Sequence, residues 1–122
     1  MQTGLRAQLP DYKNSSISVE RRVDDLMKRM TLEEKVAQLQ TSNSLTAPSK
    51  VPQNGLGCLT EVFCGFKSKV AAQKYNDLQK AFLEKTRLGI PVLYHGEAVT
   101  GLMATGTTAF PQPLAQAATF NL

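Results

Sequence analysis

Histidine occurs once in these 122 residues and cysteine twice. His95 stands alone, and Cys58 and Cys64 are not in Cys-x-x-Cys spacing, so no zinc-type ligand set can be assembled and no metal is expected. On one extended strand the two cysteines would lie ~20 Å apart, too far for a disulfide. A turn between them would let them meet, but buried free thiols are the expectation. Long apolar runs are also missing. Nothing approaches the ~18 consecutive apolar residues of a membrane span, so no membrane partner is expected. Residues 1–10 contain no apolar core of the kind that marks a secretory signal, and the compartment stays unassigned. Gly55-x-Gly57 lacks the third glycine of a dinucleotide loop, and there is no Gly-x-Ser-x-Gly elbow. These absences weigh against nucleotide binding and serine-hydrolase chemistry, and no cofactor is expected. Internal repeats and low-complexity runs are absent too.

The charge that is present is mildly basic, 14 Lys and Arg against 10 Asp and Glu. Most of the basic residues alternate with acidic ones in helical stretches, the pattern of a solvated face, so no nucleic-acid partner is expected. Residues 1–17, with Pro10 and an Asn-Ser-Ser cluster, read as an extended arm without regular structure. Ser18 can cap a helix in which Val19, Val23, Leu26, Met27 and Met30 recur at helical spacing. A methionine stripe can serve as a binding surface, but core packing is the favoured reading. Thr31-Leu32-Glu33-Glu34 is a capping box, so the helix should break and restart there, with Leu32, Val36 and Leu39 as its apolar stripe.

Residues 41–54 are rich in Ser, Thr, Asn and Pro and read as a loop, long enough to be mobile or to border a site. Residues 57–63 read as a strand. Glu61 within it is either a ligand group or, as favoured, an outward-facing strand residue. Residues 68–87 carry the longest helical pattern, with Val70, Ala71, Leu78, Ala81 and Phe82 on the buried side. Gly89 suits a left-handed helix cap. Residues 90–94 then form a short apolar run, the mark of a strand buried on both faces. The two strands flanking the long helix should be parallel, joined by a right-handed crossover.

Glu97 lies just past the C-terminal end of the last strand, where parallel α/β folds display ligand groups. A loop of small residues follows, containing Gly101, Thr105, Gly106, Thr107 and Thr108, and Phe110-Pro111 closes it. Gly89-Ile90-Pro91-Val92-Leu93, then Glu97, Ala98-Val99, Gly101 and Phe110-Pro111, resembles the N-terminal part of glycoside hydrolase family 3, the β-glucosidase and β-xylosidase family. The Arg-Met-Thr-Leu-Glu-Glu-Lys-Val stretch around Thr31 is similar to the family's opening helices. The likeness covers about residues 12–122, and its specificity lies in the order and spacing of the motifs. One departure is Thr100, where the family usually has His.

The resemblance implies an α/β fold, a (β/α)8 barrel. Such a barrel takes ~250 residues. This chain would then hold only its opening strand–helix–strand portion, with residues 1–17 as an arm and 18–122 as the N-terminal segment of the barrel domain. The rest of the barrel and a following domain are expected partners. The implied activity is that of a retaining, exo-acting β-glycosidase acting on a small carbohydrate, a β-glucoside or β-xyloside. Retention needs two carboxyl groups ~5–5.5 Å apart. The family's nucleophile and acid/base map onto no residue here, so no catalytic residue is expected in this chain and the chain alone should be inactive. Glu97 matches the acidic residue that grips sugar hydroxyls. A carboxylate suits that task because it accepts several charge-assisted hydrogen bonds. The plainer alternative, that Glu97 caps or pairs within its loop, is disfavoured by the resemblance. A Glu in place of the Asp of other members reaches one methylene further, a pointer toward pentosides.

His95 either orients Glu97 and lines the pocket or is a structural histidine; both stay open. Thr100 removes an aromatic donor or acceptor from the same wall. Gly96 and Gly101 are expected to permit a tight backbone path around Glu97, and Phe110 and Pro111 to anchor the loop. Family members are often periplasmic or secreted. A different class of function, a non-catalytic remnant that binds sugar or a partner, is the second reading.

Overall fold

The computed structural model describes residues 9–60 and 64–121. Helix α1, Val19–Arg29, starts where Ser18 Oγ accepts the Arg21 N–H at 3.4 Å. Met30 is extended, and α2, Leu32–Ala37, restarts on the expected capping box. Thr31 Oγ1 accepts the Glu34 N–H at 3.2 Å while Glu34 Oε2 accepts the Thr31 N–H at 2.9 Å. The apolar stripe behaves otherwise than expected. Val19, Val23, Met27, Leu32, Val36 and Leu39 are exposed. Together with Leu26, Met30 and Ile90, several of them line an open cleft of ≈ 490 Å³, on which nothing packs among the described residues.

Three short strands form one sheet: β1, Thr41–Ser42; β2, Cys58–Thr60; β3, Leu93–His95. Their order is β1-β2-β3 and both pairings are parallel, as expected for the strands on either side of the long helix. Strand β1 falls inside the stretch read as loop. That stretch also holds a 3₁₀ turn at Pro48–Lys50 and the buried Leu45. Glu61 and the remainder of the second expected strand lie outside the described residues.

Helix α3, Ser68–Lys85, covers one face of the sheet. Its Ala71, Leu78 and Phe82 join Leu45, Leu56, Leu59 and Val92 in the core. Val70, expected inside, is 44% exposed. Tyr75 and Tyr94 close the core edge-to-face, with ring centroids 4.5 Å apart, and the Tyr94 hydroxyl donates to the Tyr75 carbonyl at 2.9 Å. Burial, with a smaller contribution from Tyr75, pushes the Tyr94 phenol up to about 12.

The helix stops through Thr86 rather than Gly89. Thr86 Oγ1 donates to Phe82 O at 2.6 Å and accepts the Gly89 N–H at 3.2 Å. Gly89 is left-handed, φ +61°, but beyond the cap. A Cβ there would sit 2.7 Å from Leu83 O.

Strand β3 begins later than the apolar run that predicts it. Val92 is buried but lies outside the strand, and its backbone is satisfied by a side chain. Gln79 Oε1 accepts the Val92 N–H at 3.0 Å, and Gln79 Nε2 donates to Val92 O at 3.2 Å. Tyr94 faces the core together with its register partner Leu59, whereas Leu93 is 73% exposed and His95 exposed. The strand is therefore covered on one face, not two, because α3 lies on one side only. Replacing Gln79 by Met keeps the bulk of the side chain and strips both hydrogen bonds from a buried peptide. We expect stability to fall by about 2 kcal/mol. Urea unfolding checks this, and an unchanged midpoint would show that Val92 is satisfied in another way.

The N-terminal stretch is not a featureless arm over its described part. Asp11–Lys13 forms a 3₁₀ turn. Tyr12 ties it down: its hydroxyl donates to Leu88 O at 2.8 Å, its N–H to Asp25 Oδ2 at 3.1 Å, and its carbonyl accepts Arg22 Nε at 3.2 Å. Both cysteines are free, but not buried as expected: Cys58 is half-buried and Cys64 exposed. No helix among the described residues is long and apolar enough to cross a membrane.

Candidate functional site

Because the three strands are parallel, their C-terminal ends share one edge of the sheet. His95 ends β3 opposite Thr60 of β2. Two residues on, Glu97 is exposed, and among the described residues its carboxylate has no hydrogen bond or ion pair. The pairing within the loop that would give Glu97 a purely structural task is therefore not seen there. His95 and Thr100 lie on the same stretch, but no hydrogen bond joins these three side chains. Sheet edge and chain adjacency alone bring them together.

The loop that follows Glu97 is closed at its base by backbone geometry. Gly101 N–H donates to Ala98 O at 3.2 Å, and Phe110 N–H donates to Thr100 O at 2.7 Å. Gly101 has φ +101°, and a Cβ there would overlap Thr108 O and lie 3.3 Å from Phe110 Cδ2. Only glycine fits that path. Gly96 is different: its φ is not positive and a Cβ would meet nothing within 4 Å, so the described chain does not demand glycine there. Phe110 anchors through its N–H, while its ring stays 58% exposed.

The tip of the loop is held from another element. Thr105 N–H donates to Phe66 O at 3.1 Å, Thr105 Oγ1 donates to Gly65 O at 2.5 Å, and Gly65 N–H donates to Met103 O at 3.2 Å. Thr107 Oγ1 lies within reach of the Leu102 and Ala104 carbonyls, at 2.5 and 2.7 Å. The loops that follow β2 and β3 are thus sewn to each other. Sequence reasoning saw the Gly/Thr cluster but not this seam. Its signal was the run of threonines, whose hydroxyls close local turns.

Chemically, the edge offers an exposed carboxylate with all its acceptor capacity open, suited to hydroxyl groups. No group of three or more His, Cys, Asp or Glu side chains that could hold a metal occurs among the described residues.

The glycosyl hydrolase family 3 N-terminal domain matches residues 31–122. The chain is 39% identical over 128 residues to a putative β-xylosidase of Formosa agariphila, an overlap taking in 93% of this chain and 17% of that protein. It is 38% identical over 100 residues to β-glucosidase C of Emericella nidulans, covering 71% of this chain and 16% of that protein. The chain spans about a sixth of the length of these curated relatives. The match runs from the α2 capping box, across the parallel sheet, and through the Glu97 loop, and it makes this chain a member of glycoside hydrolase family 3.

Proposed function

We propose that this chain is the opening strand–helix–strand portion of a (β/α)8 barrel in a longer, retaining, exo-acting β-glycosidase, with Glu97 binding hydroxyls of a β-xyloside or β-glucoside. The observation that carries the reading is Glu97 itself, exposed and unpaired among the described residues just beyond the C-terminal end of β3. Barrels display ligand groups at that end. The names of both relatives support a glycoside substrate. The extra methylene of Glu and the putative β-xylosidase among the relatives favour a pentoside. His95 and Thr100 line the same subsite in this reading. The nucleophile and the acid/base belong to later segments of the enzyme, so the 122-residue chain alone turns over no substrate.

Glu97→Gln tests the assignment in the longer enzyme, because it keeps the shape and removes the charge. Hydrogen bonds to a charged acceptor contribute about 1.5–3 kcal/mol each. At about 1.4 kcal/mol per factor of ten, kcat/KM should drop roughly ten- to a few-hundredfold. The loss should be equal for aryl glycosides of high and low leaving-group pKa, since a binding contact is indifferent to the leaving group. Rescue by azide with formation of a glycosyl azide would make Glu97 the nucleophile. A defect confined to the poor leaving group would make it the general acid. Either result, or turnover by the isolated chain that Glu97→Gln abolishes, overturns the assignment.

A further inference from the structure

We propose that the open apolar cleft between the end of α1 and α2 is the seat of an amphipathic helix from a later part of the same, longer enzyme; this rests on the barrel reading above, not on the role of Glu97. Leu26, Met27 and Met30 on one side and Leu32, Val36 and Leu39 on the other border a space of ≈ 490 Å³. Of the lining side chains only Lys35 and Gln38 carry a polar nitrogen or oxygen, so the cleft offers little to a sugar or an ion and much to apolar side chains. Leu26 and Met30 are four positions apart, as are Leu32 and Val36, the rows along which helices interlock. A contiguous apolar face left in water marks an interaction site. Its position decides the kind of partner. Ala37 O at the end of α2 accepts the Gly57 N–H just before β2, and Ile90, which also lines the cleft, precedes β3. The cleft thus borders the N-terminal ends of the strands, opposite Glu97, the end of a barrel that serves stability and not ligand binding. Two facts name the occupant. The chain spans about a sixth of its relatives' length, and among the described residues β1 and β3 have unpaired outer edges. Segments that close the barrel against those edges bring their helices past α1 and α2. Being covalently attached, they reach the cleft at a roughly millimolar effective concentration, whereas a second copy must compete from dilute solution.

Hydrogen peroxide, with peptide mass spectrometry to read each methionine, compares the 122-residue chain with the longer enzyme that carries it. In the chain, Met27 should oxidise about as fast as Met103 at any protein concentration, since both are exposed. In the longer enzyme Met27 should oxidise about tenfold more slowly or less, because a packed thioether is shielded from the oxidant. A benzophenone side chain in place of Leu39 should cross-link within one molecule, to residues three or four apart in a segment beyond residue 122. Equal reactivity of Met27 in both proteins would leave the cleft open to a partner outside the enzyme, and overturns the proposal. So would slower oxidation in the concentrated chain with a dimer mass in light scattering, which makes the occupant a second copy. A cross-link between molecules, or to a segment without helical spacing, overturns it too. Amide exchange at β1 and β3 separates this inference from the reading beneath it. If exchange there is slower in the longer enzyme while Met27 stays reactive, this inference alone fails. If exchange there is as fast as in the chain, the barrel reading fails and takes the proposal with it.

Discussion

Gly57→Ala should remove a large part of the stability of the fold, although it adds only one methyl group. A Cβ at Gly57 would lie 2.6 Å from the Gln38 carbonyl carbon, 3.1 Å from its Cα, and closer still to its carbonyl oxygen. All of these are backbone atoms, so no rotamer change relieves the overlap. Gly57 is also held on both sides. Its N–H donates to Ala37 O at 3.0 Å, and its carbonyl accepts the Leu93 N–H at 3.0 Å. The end of α2, the start of β2 and the start of β3 meet there, and moving any of them breaks the sheet. The cost should be about 4 kcal/mol or more, the range reserved for changes that break packing outright. A typical domain has only about 5–15 kcal/mol in total. Gly96→Ala is the matched control, since a Cβ there meets nothing within 4 Å. It should shift stability by less than about 0.5 kcal/mol. Circular dichroism through a urea titration reads both variants. A Gly57→Ala transition as sharp as the parent's and at the same midpoint would refute the close approach.

Arg87→Ala should lower the melting temperature clearly, because it strips the partner from a carboxylate that is itself little exposed, although water can enter where Arg87 stood and soften the loss. Glu34 is 5% exposed, while the Arg87 side chain is about half exposed, at 54%. The guanidinium grips the carboxylate with both forks, Nε to Oε1 at 3.0 Å and Nη2 to Oε2 at 2.5 Å, and Nη2 also donates to Arg29 O at 2.8 Å. One side chain thus ties the end of α1, the start of α2 and the segment after α3. The Arg87 hydrogen bonds hold the Glu34 carboxyl below its ordinary value of 4.5; burial opposes them and the Thr31 N–H assists.

A depressed folded-state pKa gives stability that is fully present above the unfolded value and lost as pH falls through the folded one. The parent should therefore weaken on acidification below about pH 4.5. In Arg87→Ala that acid-dependent loss should shrink, because the stabilisation it titrates is already gone. Melting temperatures at neutral pH and at steps between pH 5 and 3 decide the matter. Parallel pH profiles for parent and variant would show that Glu34 draws its stability from elsewhere. Arg87→Lys should recover part of the loss only, since an ammonium cannot match the two-pronged geometry.

Local signals in the sequence were enough for some of this. The Thr31–Glu34 capping box, the 3.6-residue spacing of Ala71, Leu78 and Phe82, and the parallel arrangement around α3 depend on neighbours within a few turns or on chain connectivity. The placement of Glu97 past the end of β3 was legible for the same reason, since a strand's end is marked along the chain. The Gly89–Phe110 motif order carried the family. What the sequence left open depends on groups that meet from far apart. Glu34 and Arg87, Gln79 and Val92, Gly57 and Gln38, and Thr105 and Gly65 pair across 53, 13, 19 and 40 positions. Strand β1 is two residues of Thr and Ser with no alternation to read, and it exists because β2 lies beside it. The stripe of α1 and α2 is amphipathic by period, yet period states only that a face is apolar. Whether that face is covered depends on what packs against it, and this is a property of the tertiary structure, because burial is a relation between elements and not a property of any one of them.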